Sequence, residues 1–186
     1  MTPSNIPSVL MKIQPRIQRF ARMLSSVLQL EVEIVDNALY RIAGTGIFSK
    51  QPGQKLESGS QLLSYIIETG KERIVTHSRF DPLCKDCRNK DCCKEKAFIG
   101  MPVIYQDRCV GVISLVALTH EQQERINDNV QAFSDYVRHV SGIFVSRFLY
   151  EQREGDNIQH VFLTMMENMD QGVLVVGSDR KVQFAN

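Results

Sequence analysis

The chain opens with a helical repeat of apolar residues and continues with short runs typical of strands. From Ile6 to Gln29, apolar side chains recur at spacings of three and four, which predicts a helix with one buried stripe. Pro15 interrupts this segment, so it either occupies the first turn of the main helix or kinks a longer one. The pattern fits a helix that covers a sheet, and equally one that also contacts a partner subunit. The stripe consists of Val9, Ile13, Ile17, Phe20, Leu24 and Val27.

The next segments predict a hairpin, a polar loop, a short helix and a third strand. Residues 31–36 alternate polar and apolar side chains, and residues 39–43 return as a second half-buried strand. Residues 47–60 are rich in Gly, Ser and Gln and predict a mobile surface loop. Ser60 is a candidate cap for an amphipathic helix over 61–69, which Gly70 ends. Residues 73–77 then predict the third strand.

Two nearly continuous apolar runs predict a second hairpin. They span residues 98–105 and 109–118 and are joined at residues 106–108. Strands with so few polar positions are covered on both faces, so we expect helices on one side and the wall of a ligand pocket on the other.

A long helix is predicted after this hairpin. Thr119, with Gln122 three residues later, forms a capping box, and the helix should run to about Arg153. A heptad-like seam along it predicts a homodimer, because the helix is longer than a small sheet can cover. Packing on the chain's own sheet would produce the same stripe. The seam consists of Ile126, Val130, Phe133, Val137, Val140 and Phe144.

The last part of the chain predicts the start of another unit. Residues 151–157 are polar and predict a linker, and residues 158–169 are again amphipathic. Residues 172–176 and 182–184 then predict two strands joined by a turn. One helix and two strands cannot bury a core of their own, so we expect residues 154–186 to open a second domain after a domain over 1–153.

Composition restricts the class of protein. The 186 residues carry a net charge of +1, without a dense Lys/Arg cluster interleaved with aromatics, so no direct nucleic-acid contact is expected. The N-terminus lacks a signal-peptide pattern and no run is long enough to span a bilayer, which predicts a cytoplasmic protein with no membrane contact. Clustered cysteines in a reducing compartment favour metal binding or redox chemistry over structural disulfides.

Four of the five cysteines lie within ten residues. Cys84 and Cys87 can reach one metal ion from a tight turn, and Cys93 can return to the same centre. Cys92 is the predicted fourth metal ligand, with His77 and the distant Cys109 as alternatives. Three close cysteines and one other ligand suit an iron-sulfur cluster, while zinc more often uses two separated Cys-x-x-Cys pairs. The basic neighbours favour thiolates; these are Lys85, Arg88, Lys90, Lys94 and Lys96.

The same cysteines also permit a thiol redox switch or a loop without a cofactor. An enzyme needs a nucleophile beside a base, but the four histidines at positions 77, 120, 139 and 160 are scattered. A thioredoxin-like site lies between a strand and a helix, whereas a strand follows this cysteine loop. We therefore predict no enzymatic activity, with a small cytosolic thiol oxidoreductase as the alternative.

Several phrases of the sequence resemble known signalling domains. Residues 98–115 resemble the Pro-Val strand, turn and Gly-Val-Ile strand of GAF domains, and residues 169–186 are similar to the start of a PAS domain. Residues 14–24 and 78–84 resemble the N-terminal region of bacterial sigma-54-dependent transcriptional activators.

The resemblance implies an α+β fold, in which N- and C-terminal helices cover a GAF-like antiparallel sheet and an incomplete PAS domain follows. It also implies a sensor that holds an unidentified small ligand near residues 47–60 and 78–97, upstream of ATPase and DNA-binding domains. No Gly-rich phosphate-binding loop occurs in this sequence. The cysteine loop departs from a plain GAF pattern, which favours a metal centre or a thiol switch that shifts the dimer helix between two packings.

Overall fold

A five-stranded antiparallel sheet forms the centre of the structure. The computed structural model describes Ser8 and residues 10–50, 52–56, 61–85, 87 and 93–144, with two short strands at 174–176 and 182–185. The sheet has the order β2-β1-β5-β4-β3. Its strands are β1 (Glu31–Asp36), β2 (Arg41–Gly44), β3 (Arg73–Val75), β4 (Ala97–Tyr105) and β5 (Arg108–Ala117). Both predicted hairpins and the predicted α+β fold are therefore confirmed.

Local chemistry explains the two hairpin turns and the centre of the sheet. The Asp36 carboxylate accepts hydrogen bonds from the backbone N–H groups of Ala38 and Tyr40, closing the first turn. Gln106 and Asp107 both have positive φ, 51° and 59°, as in the type I′ turns that match strand twist. Where β5 pairs with β1, a Cβ on Gly111 would lie 2.3 Å from the Val35 carbonyl oxygen. Glycine is required at this close approach.

The N-terminal helix begins at its proline. A 3₁₀ turn at Met11–Ile13 leads into α1 (Gln14–Leu28), and Pro15 occupies the first turn, which decides between the two predicted roles. The other helices are α2 (Gln61–Thr69), α3 (Pro82–Lys85), α4 (His120–Asp128) and α5 (Val130–Phe144). No described helix is long and apolar enough to cross a membrane.

The predicted long C-terminal helix is interrupted. The capping box of Thr119 and Gln122 starts α4 as expected, but Asn129 leaves helical geometry with φ −137° and ψ 34°. Asparagine competes for its own backbone hydrogen bonds and favours such breaks. The prediction of one continuous helix is therefore wrong at Asn129, and its residues beyond Phe144 lie outside the described part of the chain.

The seam predicted for dimer contact packs into the core of its own chain. Ile126, Val137, Val140 and Phe144 are at most 2% exposed and pack with α1 and the sheet. The break at Asn129 allows α4 and α5 to follow the sheet as two shorter helices. The alternative of packing on the chain's own sheet is the one observed, so the seam gives no support to a dimer.

The two faces of the sheet carry separate apolar clusters. α1, α4 and α5 cover one face. The other face is covered by α2 and by a 3₁₀ turn at Gly46–Phe48, with Cys84 of α3 packed at its margin. The described part of the predicted mobile loop after β2 is anchored, because Phe48 is buried and Leu56 donates its N–H to the Leu39 carbonyl oxygen.

The predicted C-terminal strand pair is confirmed. β6 (Leu174–Val176) and β7 (Val182–Ala185) pair in antiparallel fashion. The predicted linker and amphipathic helix before them lie outside the described residues. The domain division and the PAS assignment remain predictions.

Candidate functional site

The clustered cysteines lie in the connection between β3 and β4, which we call the cysteine segment and define as residues 77–95. Its first part is ordered by Asp81, whose carboxylate forms an ion pair with Arg73 and accepts the N–H of Leu83 at 2.9 Å. α3 follows, and the N–H of Cys87 donates to the Cys84 carbonyl oxygen at 3.2 Å. The Cys-x-x-Cys turn predicted from the spacing is therefore present.

Three of the four predicted metal ligands lie near one another. Cys87 and Cys93 both act electrostatically on the Cys84 thiol. Cys92 lies outside the described residues. Among the side chains that are described, no group of three His, Cys, Asp or Glu has the geometry to hold a metal ion. The metal and cofactor assignments therefore remain predictions.

The electrostatic environment of Cys84 differs from the expected one. Burial and the nearby Asp81 and Glu95 carboxylates raise the pKa of the Cys84 thiol to about 12. The prediction that the basic neighbours favour a thiolate is wrong at this position, because burial and the two carboxylates favour the neutral thiol.

Neither alternative fourth ligand forms a metal-binding group with the described cysteines. Cys109 lies at the turn end of the β4–β5 hairpin, where its thiol donates to the Gly111 carbonyl oxygen at 3.2 Å. It pairs with Ile104, seven residues along β4 from Ala97, so roughly 23 Å of strand separates it from the segment. His77 is exposed and its ring lies beside Phe80, 6.1 Å between centroids.

A buried ion pair, which the sequence did not predict, lies on the sheet face that α2 covers. Glu33 of β1 and Arg41 of β2 are 3% and 7% exposed, and the guanidinium approaches Glu33 Oε1 at 2.6 and 2.7 Å. Arg41 also lies over the Phe48 ring at 5.4 Å. The Ser114 hydroxyl donates to the Glu33 carbonyl oxygen at 2.9 Å. The alternation in β1 predicted a half-buried strand, in which a glutamate normally faces solvent. β1 instead lies between β2 and β5, and a central strand is covered on both faces.

Glu95, the last residue of the cysteine segment, interacts electrostatically with this ion pair. Burial and the Glu33 carboxylate raise the pKa of Glu95 to about 7, while Arg41 opposes the shift. Burial also raises the pKa of Glu33, with Arg41 again opposing. Glu95 in turn acts on Cys84. One guanidinium and two carboxylates therefore form a polar cluster at the end of the cysteine segment. Such a cluster offers both hydrogen-bond donors and acceptors.

Comparison with known proteins identifies both a close sequence relative and a shared fold. The chain is 64% identical over 179 residues to UacR of Escherichia coli (strain K12), a candidate uric acid sigma-54-dependent transcriptional regulator. This match covers 96% of the chain but only 30% of that protein. No protein-family model matches the chain.

Solved GAF domains share the architecture of the described residues. The GAF domain of nlh2 from A. aeolicus covers 78% of the chain with a TM-score of 0.52 at 15% identity. The GAF domain region of a candidate membrane protein from Geobacter sulfurreducens PCA covers 74% with a TM-score of 0.51 at 14% identity. The chain spans 95% and 93% of these two structures. The predicted GAF-like fold and the resemblance to sigma-54-dependent regulators are thus confirmed.

Proposed function

Because this GAF-fold chain is a homologue of part of a sigma-54-dependent transcriptional regulator, we propose that it is the sensory module of such a regulator. The carrying observation is the buried Glu33–Arg41 pair, which lies on the sheet face beside the cysteine segment. Buried charges are costly in a fold stabilised by apolar packing, so a ligand-recognition role accounts for their position. ATPase and DNA-binding domains elsewhere in the whole protein would convert the sensed state into transcription.

The proposed ligand class is the oxidised purines. The relative's name links it to uric acid, and this chain is 64% identical over nearly its whole length. Oxidised purines present alternating N–H donors and carbonyl acceptors on a planar ring. Carboxylates accept from such N–H groups, while the positive charge of Arg41 favours the carbonyl edge.

Calorimetric titration with uric acid, xanthine and hypoxanthine tests this assignment. We expect saturable binding of at least one of them to the wild-type chain. Replacing Ser114 by Ala keeps the ion pair and should alter affinity modestly, whereas Arg41→Met should weaken binding at least about tenfold, as expected for loss of one charge-assisted contact. If none of the three purines binds, oxidised purines are excluded as the ligand class.

The cysteine segment is the second proposed sensing element. Cys84, Cys87, Cys92 and Cys93 would hold an iron-sulfur cluster or zinc, and support comes from their spacing and from the proximity of three of them. Protein purified without oxygen should contain one of these metals at about one site per chain, the occupancy that a specific site requires. Absence of iron and zinc, with wild-type signalling after replacement of all four residues by Ser, would exclude the metal site.

We also propose that the module works as a homodimer and is not itself an enzyme. With four of the six seam residues buried, a second copy would contact the outer surface of α5, where Arg138 binds both Asp135 and Glu72. Sedimentation velocity over a range of concentrations measures this association. The alternative, a thiol oxidoreductase, requires a reactive thiolate, and turnover of a disulfide substrate would favour it over the sensor.

A further inference from the structure

Gln123 of α4 binds both ends of the cysteine segment. Its side-chain amide donates to the carbonyl oxygen of Thr76 at 2.9 Å and to that of Lys96 at 3.2 Å. Thr76 immediately precedes the segment and Lys96 immediately follows it. One side chain therefore joins two positions that are twenty residues apart in sequence.

The surroundings of Gln123 connect these two ends to the rest of the fold. The N–H of Lys96 donates to the Ala117 carbonyl oxygen at 2.8 Å, and the N–H of Ser78 donates to the Lys96 carbonyl oxygen at 2.9 Å. Ala117 is the last residue of β5 and lies just before the cap of α4. The neighbouring Gln122 donates to the Gln29 carbonyl oxygen at the end of α1, at 3.2 Å. The first turn of α4 thus contacts the segment, the sheet and α1 together.

From this geometry we propose that Gln123 couples the state of the cysteine segment to α4 and α5. This inference rests on the proposed sensory function and assigns the residue that passes the signal. A primary amide has two N–H donors, and both are used when the two carbonyl groups are held at their present separation. A chemical change that spreads the ends of the segment removes one of these bonds, so the first turn of α4 must shift or open.

Hydrogen exchange of α4 measures this coupling without any ligand or metal. The full chain with Cys109→Ala would be compared with its cysteines reduced and after alkylation of the cysteine segment by iodoacetamide. We expect alkylation to increase amide exchange in His120–Asp128 by about fivefold, the lower end of typical coupling between sites. Gln123→Met, which keeps length but lacks donors, should show almost no response, and Gln123→Glu serves as a second variant of the same shape.

Gln131→Met is the matched control, because the Gln131 amide binds the exposed Asp135 carboxylate on α5. It should retain the wild-type response. An equal response in the Gln123 variants, or none in the wild-type chain, would overturn the proposal. Since alkylation needs neither purine nor metal, this outcome is distinct from failure of the proposed ligand or metal binding.

Discussion

At the level of single residues, Glu33 and Arg41 place a charge pair where the sheet would ordinarily be apolar. Their neighbours on the same face include Val35, Val112 and Phe48. A buried pair of this kind adds little net stability, since desolvation offsets the attraction. Removing one partner, however, leaves the other charge buried without compensation.

Arg41→Met should therefore reduce the free energy of unfolding by about 3–5 kcal/mol, the cost of breaking a buried pair. The double variant Glu33→Met, Arg41→Met should recover most of this loss, because no charge remains buried. Urea denaturation followed by circular dichroism provides the measurement. The exposed pair Glu121–Arg125, 3.7 Å apart, supplies the control, and Arg125→Met should change stability by less than about 0.5 kcal/mol. Equal losses of unfolding free energy for Arg41→Met and Arg125→Met would contradict the assignment of Glu33 and Arg41 as a buried ion pair.

The cysteines of the segment should differ strongly in reactivity. Cys93 is exposed, whereas burial and acidic neighbours raise the pKa of Cys84 to about 12. The experiment compares the two cysteines in metal-free protein at pH 8. The thiolate is the reactive form, so raising pH increases the rate at Cys84 until that pKa is reached. We expect Cys93 to be alkylated at least about tenfold faster than Cys84, because Cys84 is partly buried and held as the neutral thiol while Cys93 is exposed. Peptide mass spectrometry at short times with iodoacetamide gives both rates, and equal rates would show that Cys84 is open to solvent.

The sequence was informative about the cysteines and not about the ion pair. A cluster of four cysteines is visible as spacing alone, and its location between two strands follows from the apolar runs on either side. Glu33 and Arg41 carry no such signal, because a charged residue in an alternating strand is normally exposed. Their burial depends on tertiary packing that the alternation does not reveal, including the ring of Phe48 under the Arg41 guanidinium. The effect of Asp81 and Glu95 on Cys84 likewise requires tertiary contacts.

At the level of elements, the apolar periodicity of α4 and α5 predicts which face is buried but not what that face packs against. The spacing of apolar residues correctly identified the inner face of α4 and α5, and the capping box fixed their start. The same spacing cannot distinguish a core from a dimer seam, since both bury one stripe. The break at Asn129 decides the matter, because it turns the stripe onto the chain's own sheet.

Phe144 tests this interpretation of α5. Its ring packs against Phe20 of α1 with centroids 5.3 Å apart, and both residues are at most 2% exposed. Phe144→Ala should therefore lower the free energy of unfolding by about 3–5 kcal/mol, as for other buried Phe truncations. Phe80, which is 73% exposed, gives a matched Phe→Ala control with an expected change below about 0.5 kcal/mol. If Phe144→Ala instead abolished dimerisation without lowering the free energy of unfolding, the seam would be a dimer interface.

At the level of the whole molecule, the sheet separates a face that carries the polar cluster from a face that carries α4 and α5. A signal that starts near Glu33 and Arg41 must reach the other side. Gln123 offers one connection, and Ser141 offers another, because its hydroxyl donates to the Pro102 carbonyl oxygen of β4 at 3.0 Å. Both connections end on backbone carbonyl groups of the sheet or its edge, so a movement of these strands would alter hydrogen bonds made by the helices.

Binding of a purine should consequently protect the two faces unequally. At a ligand concentration one hundred times the Kd, binding to the folded state alone stabilises it by about 2.7 kcal/mol. We expect slower hydrogen exchange first in β1, β2 and β5, which carry Glu33, Arg41 and their strand neighbours, with a smaller effect in α1 on the opposite face. The double variant Glu33→Met, Arg41→Met should lose this protection while remaining folded. Protection confined to α1 and α5 would place the ligand on the helical face and contradict a site at the ion pair.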